Sequence, residues 1–510
     1  MKKRITIVVH SLNFVVLLHD NTLKTFIDEY NMRMIHYKYT YNYKLKRMVR
    51  EPGSGYYAFD KCRNEWRYHI NCLNSFIKHL GAYFVKRDEI ELIYDKCRVS
   101  NVAELNLKYT SDKSLRDYQE DYVRILTEEP ELQKPCMLID LYTGYGKGVT
   151  CIYSMCKINL RTAIVLLPKY IEKWILELKE LTDIQDKDIC VIQGMESIRN
   201  LVFTPKEEIN YKVIIFSLQT VTNWINSYEK NECELPMTPD EFFKHLSIGL
   251  LVNDESHQYF HALFKATLYF DANRMIGMSA TMDSNDKAIK KLYEIYYPQD
   301  SRINNIVGID SYIDVIAVEY KLNFTKSLRY ILAGSYNHNS LEQSIIRNRM
   351  LLKDYVDMIK HYTDKYFISK QELGDKLLIY CSSIRMCTIL ADTLSTIYKS
   401  FDVQRYVGDD DYSNMLKADI IVSTPGSLGT AIDIRGLMTV INTVSISSLQ
   451  ANKQMIGRLR KRKDNKCTYV YFFTRDIPNQ YKMHIDRKNA ISYIAKSYEY
   501  EDYHKVLKVK

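Results

Sequence analysis

No stretch of this 510-residue chain approaches the ~18–20 uninterrupted apolar residues of a membrane-spanning helix, so a membrane-embedded protein is not expected. Its eleven cysteines offer no zinc framework. The closest pairs, Cys151/Cys156 and Cys381/Cys387, lack zinc-ligand spacing, and no His-x-x-x-His partner lies near them. Reduced, mostly buried thiols in a cytosolic compartment are expected instead. The opening Met1-Lys2-Lys3-Arg4, followed by ITIVVHSLNFVVLL, has the outline of a secretory leader. His10, Ser11 and Asn13 interrupt its apolar run, however, and no small-x-small cleavage site follows. Two short strands joined by a turn at His10–Asn13 fit better. Short-period repeats and low-complexity tracts are also missing, which leaves a globular chain of several domains.

What is present is ordinary in amount and uneven in placement. Single cores stop growing near ~250–300 residues, so two or three domains are expected. Hydrophobic content of 46% and charged content of 26% are those of a globular protein. The formal charge is +9, and residues 1–105 hold 18 Lys+Arg against 11 Asp+Glu, a difference of +7. A cationic appendage on a near-neutral body points to a polyanionic partner, with a solvated basic surface as the bland alternative.

Residues 1–50 read as strands and one short helix, ending in a run where Tyr37, Tyr39, Tyr41 and Tyr43 recur with period two. Glu51–Gly55 (EPGSG) reads as a turn, residues 60–80 as more helical, and 82–94 as another strand. From about residue 115 the pattern changes to short β-branched runs alternating with longer amphipathic segments: MLIDL, TAIVLLP, VIIFS, IGLLVND and RMIGMSA. A second such series begins near 313 with YIDVIAVEY, KLLIYCSS, ADIIVSTP, VINTVSI and CTYVYFF. Buried strands separated by helices mean parallel βαβ units. The expected fold class is therefore α/β, with two tandem parallel-sheet lobes behind a small basic α+β domain. The boundaries are 1–105, 106–305 and 306–510.

The loop Leu141-Tyr142-Thr143-Gly144-Tyr145-Gly146-Lys147-Gly148 follows the strand MLID and precedes a helix. Glycines there turn backbone N–H groups onto phosphate oxygens, the helix N-terminus adds its positive end, and Lys147 brings a charge to the β/γ-phosphates. Two departures from the strict pattern stand out: Leu141 occupies the first glycine position, and Gly148 replaces the Ser/Thr that normally coordinates Mg²⁺. Three alternatives stand open: water takes that position, Thr150 or Thr143 helps, or the metal site is weakened. The apolar run Ile248–Val252 ends in Asn253-Asp254-Glu255-Ser256-His257, 107 residues after Lys147. A carboxylate at the end of a buried strand can hold Mg²⁺ and its neighbour can orient the attacking water. Asp254 is assigned the metal, Glu255 the base, and His257 a link to the neighbouring lobe.

In order, the chain also carries Leu115-Arg116-Asp117-Tyr118-Gln119, LLPKYIEKW (166–174), IIFSLQT (214–220) and Ser279-Ala280-Thr281. LIYCSS (378–383), STPGSLGTAID (423–433) and Gln454-Met455-Ile456-Gly457-Arg458 follow. With the phosphate loop and DESH, this set resembles the motifs of superfamily 2 DExH helicases over roughly residues 112–470. Within that superfamily the chain most resembles the phage and viral UvsW-type helicases, T4-type fork-remodelling and branch-migration enzymes, with poxviral transcript-release helicases as relatives.

The resemblance implies two RecA-like lobes, ATP and Mg²⁺. It implies that Arg116, Tyr118 and Gln119 approach the adenine, and that Thr143, Gly144, Tyr145, Gly146, Lys147 and Gly148 hold the phosphates. Gly429 and Asp433 would approach the nucleotide from the second lobe, with Gln454 and Arg458 completing the site, Arg458 as an arginine finger. Ser279 and Thr281, with His257, would couple hydrolysis to lobe movement. Lys169, Ser217 and Thr424 would touch the nucleic-acid backbone. The family's second arginine falls on Lys461, flanked by Arg460 and Arg462, and which of the three serves is open.

In the N-terminal stripe the four tyrosines are expected to form the buried face of a strand, while Lys44, Lys46, Arg47 and Arg50 meet phosphates. Three functions follow: a DNA helicase or translocase acting on forks, junctions or displaced strands; an RNA helicase or transcript-release factor; and a nucleic-acid scaffold with a weakened ATPase. DNA is preferred to RNA as partner, with no membrane partner and monomeric or weak self-association, beside replication, recombination or transcription proteins. The expected location is cytoplasmic, in a host cell if the source is viral. A restriction-enzyme translocase subunit is disfavoured for want of a nuclease-sized domain.

Overall fold

The computed structural model of the chain describes residues 3–42, 45, 47–83, 90–96, 102–112, 114–141, 145–254, 259–279, 287–304, 311–408, 410–428, 434–461 and 467–509. It divides into two compact units, Met1–Val307 and Gly308–Lys510.

The first unit is built on a seven-stranded sheet whose order is Ile189–Ile192, Val213–Ser217, Thr162–Leu166, Leu250–Asn253, Arg274–Ser279, Cys136–Asp140 and Arg302–Ile303. Every pairing is parallel. Its central strands are buried along their whole length, as parallel strands covered by helices on both faces must be, and so each reads as an unbroken apolar run. The second unit repeats the plan in the order Val403–Tyr406, Ile420–Ser423, Lys376–Tyr380, Leu437–Asn442, Cys467–Phe473, Ile313–Leu322 and Ala495–Leu507, again all parallel. The α/β class and the tandem sheets are as the sequence led us to expect.

The N-terminal region forms a five-stranded sheet, Ala58–Asp60, Glu65–His69, Asn13–Leu18, Lys3–Val9 and Ile90–Lys96. The expected turn is there, with the His10 N–H donating to the Asn13 carbonyl at 2.9 Å. This sheet shares one apolar core with the first lobe, in which Phe14, Trp66 and Phe76 pack in the same cluster as Leu138, Phe264 and Tyr296. Polar groups fasten the join. The buried Asn13 amide donates to the carbonyls of Phe270 (3.0 Å) and Thr267 (3.4 Å). Arg63 reaches Thr238, Asp240 and Glu241, and the Tyr228 hydroxyl donates to Asp60 at 2.9 Å. His69, buried at this seam against Cys136, is held neutral because burial lowers its pKa to about 3.

Three local expectations need correction. Residues 51–55 are not a turn but the end of the strand Arg47–Gly55, paired antiparallel with Ile35–Asn42 in a separate two-stranded ribbon. A ribbon has only edges, so Pro52 costs it little, and the irregular register near Tyr37 absorbs the misfit. The helix expected from 60 begins only at Leu73, because two short strands precede it, joined by a turn in which Asp60 accepts from the N–H groups of Cys62 and Arg63. Tyr37 is not buried: it is 38% exposed, with the Arg50 guanidinium 3.9 Å from its ring centroid. Tyr43, Lys44 and Lys46 lie outside the described residues, and Arg47 and Arg50 are exposed.

Candidate nucleotide site

The carboxyl ends of three adjacent strands assemble the site. Asp140 ends the strand leading into the phosphate loop, and it stands in register with Ser279, the last residue of the neighbouring strand. On that strand's other side, Asn253 ends the strand leading to Asp254. The phosphate loop and Asp254 thus start two strand spacings apart, about 10 Å.

Gly146 caps the helix Lys147–Ile158 in the left-handed region, φ 78° and ψ 36°, which only glycine adopts without cost. A Cβ there would also lie 2.4 Å from the side-chain nitrogen of Gln119. Gln119 is 4% exposed and its amide is committed. The nitrogen donates to the Gly146 carbonyl (3.2 Å) and toward the Thr150 hydroxyl (3.3 Å), while its oxygen accepts from the Arg116 N–H (2.9 Å). The Tyr118 hydroxyl donates to the Tyr145 carbonyl at 3.0 Å and accepts from the exposed Arg116 at 2.8 Å. Arg116, Tyr118 and Gln119 therefore brace the loop from the preceding helix. Lys147 turns its ammonium back to the Leu141 carbonyl at 3.1 Å. Thr150 is buried and its hydroxyl donates to the Gly146 carbonyl, an engagement within the helix.

A second helix, Ile171–Leu181, buries Ile171, Trp174, Leu178 and Leu181 at helical spacing. The Trp174 indole N–H donates to a carboxylate oxygen of Asp254 at 2.8 Å. One turn later, Glu177 sets its carboxylate against Gly148: a Cβ at 148 would fall 2.3 Å from one carboxylate oxygen and 2.9 Å from the other. Between them, Cys151 is fully buried, and its thiol is pushed well above its ordinary pKa by burial first and then by the Asp254 and Glu177 carboxylates. Trp174 and Glu177 were missed in the sequence. Trp174 closes the quoted run LLPKYIEKW, yet nothing in a linear pattern ties an indole to a carboxylate 80 residues away. Trp174→Phe keeps the apolar packing but removes the donor; it should cost about 1–3 kcal/mol of stability and lower the hydrolysis rate, as read by thermal unfolding beside steady-state kinetics. Unchanged kinetics would reduce Trp174 to a core residue.

The residues present fit a nucleotide with a divalent cation. A left-handed glycine opens the helix, a lysine at the first helical position reaches back to the end of the preceding strand, and a hydrogen-bonded carboxylate stands at the next strand end but one. Thr143, Gly144, Glu255, His257 and Thr281 lie outside the described residues, whereas Ser279 is fully buried. Of the expected backbone contacts in this unit, Lys169 is exposed on the short turn Pro168–Tyr170 and Ser217 is 1% exposed at the foot of a helix.

In the second unit, Arg458 is 4% exposed and donates to the Leu428 carbonyl at 3.4 Å. It also engages the Tyr380 hydroxyl, whose pKa burial raises to about 12 while Arg458 opposes the rise. Gln454 is half-buried on the helix Leu449–Ile456. The Arg460 side chain turns back to the Gly457 carbonyl; Lys461 is exposed, and Arg462, Gly429 and Asp433 fall outside the described residues. Thr424 is tied locally to Ser427 at 2.8 Å. Beneath the run CSS, the fully buried Glu342 accepts from the N–H groups of Ser382 (2.6 Å) and Ser383 (2.7 Å). Burial raises its pKa to about 7 against the pull of those donors.

A parallel sheet with a Gly-x-Gly-Lys loop and an acidic strand end two strand spacings apart, followed by a second parallel sheet, is the arrangement of superfamily 2 helicases, a class of ATP-dependent enzymes that this chain resembles. Comparisons agree. Residues 112–284 match the family model described as Type III restriction enzyme, res subunit, a match confined to the first lobe. A putative helicase of Invertebrate iridescent virus 6 is 21% identical over 64% of this chain and 70% of its own length. A putative ATP-dependent RNA helicase of Acanthamoeba polyphaga mimivirus is 22% identical over 62% of this chain and 56% of its own, so the chain spans little more than half of that relative. Among solved structures, S. cerevisiae Dbp5 bound to RNA and ADP BeF3 superposes over 77% of this chain and 90% of that one, at 13% identity and a TM-score of 0.50, a likeness of fold. T4 UvsW aligns over 99% of both chains at 15% identity and a TM-score of 0.36. Among the described residues, no helix is long and apolar enough to cross a membrane.

Proposed function

We propose that the chain couples ATP hydrolysis to movement on DNA, remodelling forks, branched junctions or displaced strands. The observation that supports the ATP-driven part of this reading is the meeting of the phosphate loop, the Asp254 strand end and the Ser279 strand end on three neighbouring strands of the first sheet. Lys147 holds the β/γ-phosphates, Asp254 the Mg²⁺, and Glu255 orients the attacking water. Mg²⁺ supplies charge neutralisation on the transferred phosphoryl group. Gln454 and Arg458 act from the second lobe, Gly429 and Asp433 approach the nucleotide, and Ser279, Thr281 and His257 pass the change on. A ligand biases a conformational equilibrium only through differential affinity, and a γ-phosphate held from both lobes in one state and not the other provides it. Lys169, Ser217 and Thr424 track the phosphate backbone. The +7 of residues 1–105 supports a duplex ahead of the motor, and the viral relatives support a place in the cytoplasm of a host cell.

RNA is the second reading, favoured by the viral relative named as an RNA helicase. One assay separates the two: ATP hydrolysis without nucleic acid, then with single-stranded, duplex and forked DNA, and with RNA. Strong stimulation by forked DNA is expected. Stimulation by RNA alone would transfer the activity to transcripts, and no hydrolysis on any substrate would leave a scaffold.

A further inference from the structure

We infer that Glu177 supplies, directly or through one water, the oxygen ligand toward the nucleotide-bound divalent cation that position 148 lacks. The inference rests on the nucleotide-site reading above and deepens it. Position 148 follows the phosphate-loop lysine, where a Ser or Thr hydroxyl normally faces Mg²⁺. Gly148 leaves that volume without a side chain, and the Glu177 carboxylate fills it: its oxygens lie 2.3 and 2.9 Å from where a Cβ would stand. Among the described residues of this helix turn, the Thr150 hydroxyl is buried and turned back to the Gly146 carbonyl.

The bland account makes Glu177 half of a surface pair with Lys173, four residues earlier. That pair is loose, 3.9 Å between charged atoms, and its lysine is 45% exposed while the Glu177 side chain is only 22% exposed. Such a contact does not bring a carboxylate inward against a phosphate loop. The helix does. Trp174 and Glu177 are three residues apart on one face, so the turn that fixes Asp254 through the indole also delivers the second carboxylate.

Exchanging a neutral hydroxyl for a carboxylate has a thermodynamic signature. An added negative charge at a partly buried position repels the nucleotide phosphates until a cation stands between them. Nucleotide affinity should therefore depend on Mg²⁺ more steeply here than at a site with a hydroxyl, and the carboxylate should be the cause.

The test measures binding of a fluorescent ADP to the full chain, in excess Mg²⁺ and in EDTA, with thermal unfolding of each variant alongside. The wild type should bind far more tightly with Mg²⁺. In Glu177→Gln the ratio of the two affinities should shrink about tenfold or more, with affinity in EDTA rising rather than falling. Gly148→Ser combined with Glu177→Ala restores a hydroxyl and removes the charge; it should recover Mg²⁺ dependence relative to Glu177→Ala alone. A Glu177→Gln ratio equal to wild type, or an equal loss of binding with and without Mg²⁺, overturns the inference while leaving the nucleotide site standing. Failure of the wild-type chain to bind nucleotide under either condition sinks the site itself.

Discussion

Lys147→Ala should lower ATP hydrolysis by about 10²–10³ at saturating nucleotide, the cost of removing one preorganised charge from a phosphoryl-transfer site. The ammonium is held at the Leu141 carbonyl, 3.1 Å away, beside the helix N-terminus where a phosphate would sit, and so needs little reorganisation to meet one. Stability should fall only slightly. Lys147 opens its helix and is only partly buried, and truncation takes one donor from the Leu141 carbonyl, so a loss of about 1 kcal/mol in thermal unfolding is expected. Lys147→Arg should not rescue, since a planar fork is a poor replacement for a compact point charge at a glycine-rich loop. Hydrolysis in Lys147→Ala within a few-fold of wild type would place the triphosphate elsewhere. An equal fall in stability and activity would instead make the loop a folding element.

The contrast between Lys147 and Trp174 marks how far the sequence carries. Parallel strands covered on both faces are apolar throughout, so MLID, TAIVL, VIIFS and KLLIY announced themselves, and with them the loops at their carboxyl ends. The strands passed over lie at sheet edges. Ile189–Ile192 and Val403–Tyr406 are only partly buried, Arg302–Ile303 has two residues, and Ala495–Leu507 alternates charge with tyrosine because one side of it meets solvent. At the site, Gly146, Lys147 and Asp254 were legible because each is dictated by local backbone or by a strand end. Trp174 and Glu177 were not, because their roles depend on how one amphipathic helix is rotated against two others. Gln119 was half legible: the resemblance brought it near the nucleotide, and the structure shows its amide bracing the phosphate loop. The N-terminal region misled in a similar way. Its period-two tyrosines mark a strand, as expected, but a two-stranded ribbon buries neither face by itself, and Tyr37 is left beneath Arg50.

Arg458 should have the largest effect of any single residue. An arginine finger stabilises charge that exists only in the transition state, and its removal costs about 10³–10⁵ in the hydrolysis rate. Its setting complicates the experiment. The guanidinium is 4% exposed, donates to the Leu428 carbonyl and engages Tyr380, so truncation to alanine would also strip buried acceptors of their donor. Arg458→Lys and Arg458→Gln retain part of that bonding and are the variants to use. Both should unfold within a few degrees of wild type and bind ATP normally in the presence of nucleic acid, while single-turnover hydrolysis falls by about 10³ or more. Arg460→Ala is the comparison: its side chain folds back on the Gly457 carbonyl, and its loss should slow hydrolysis far less. Hydrolysis by Arg458→Gln at a rate near wild type would reduce Arg458 to a strut between the Leu428 loop and the sheet. A loss shared equally by binding and hydrolysis would show that it holds ground state and transition state alike, which an arginine finger does not do.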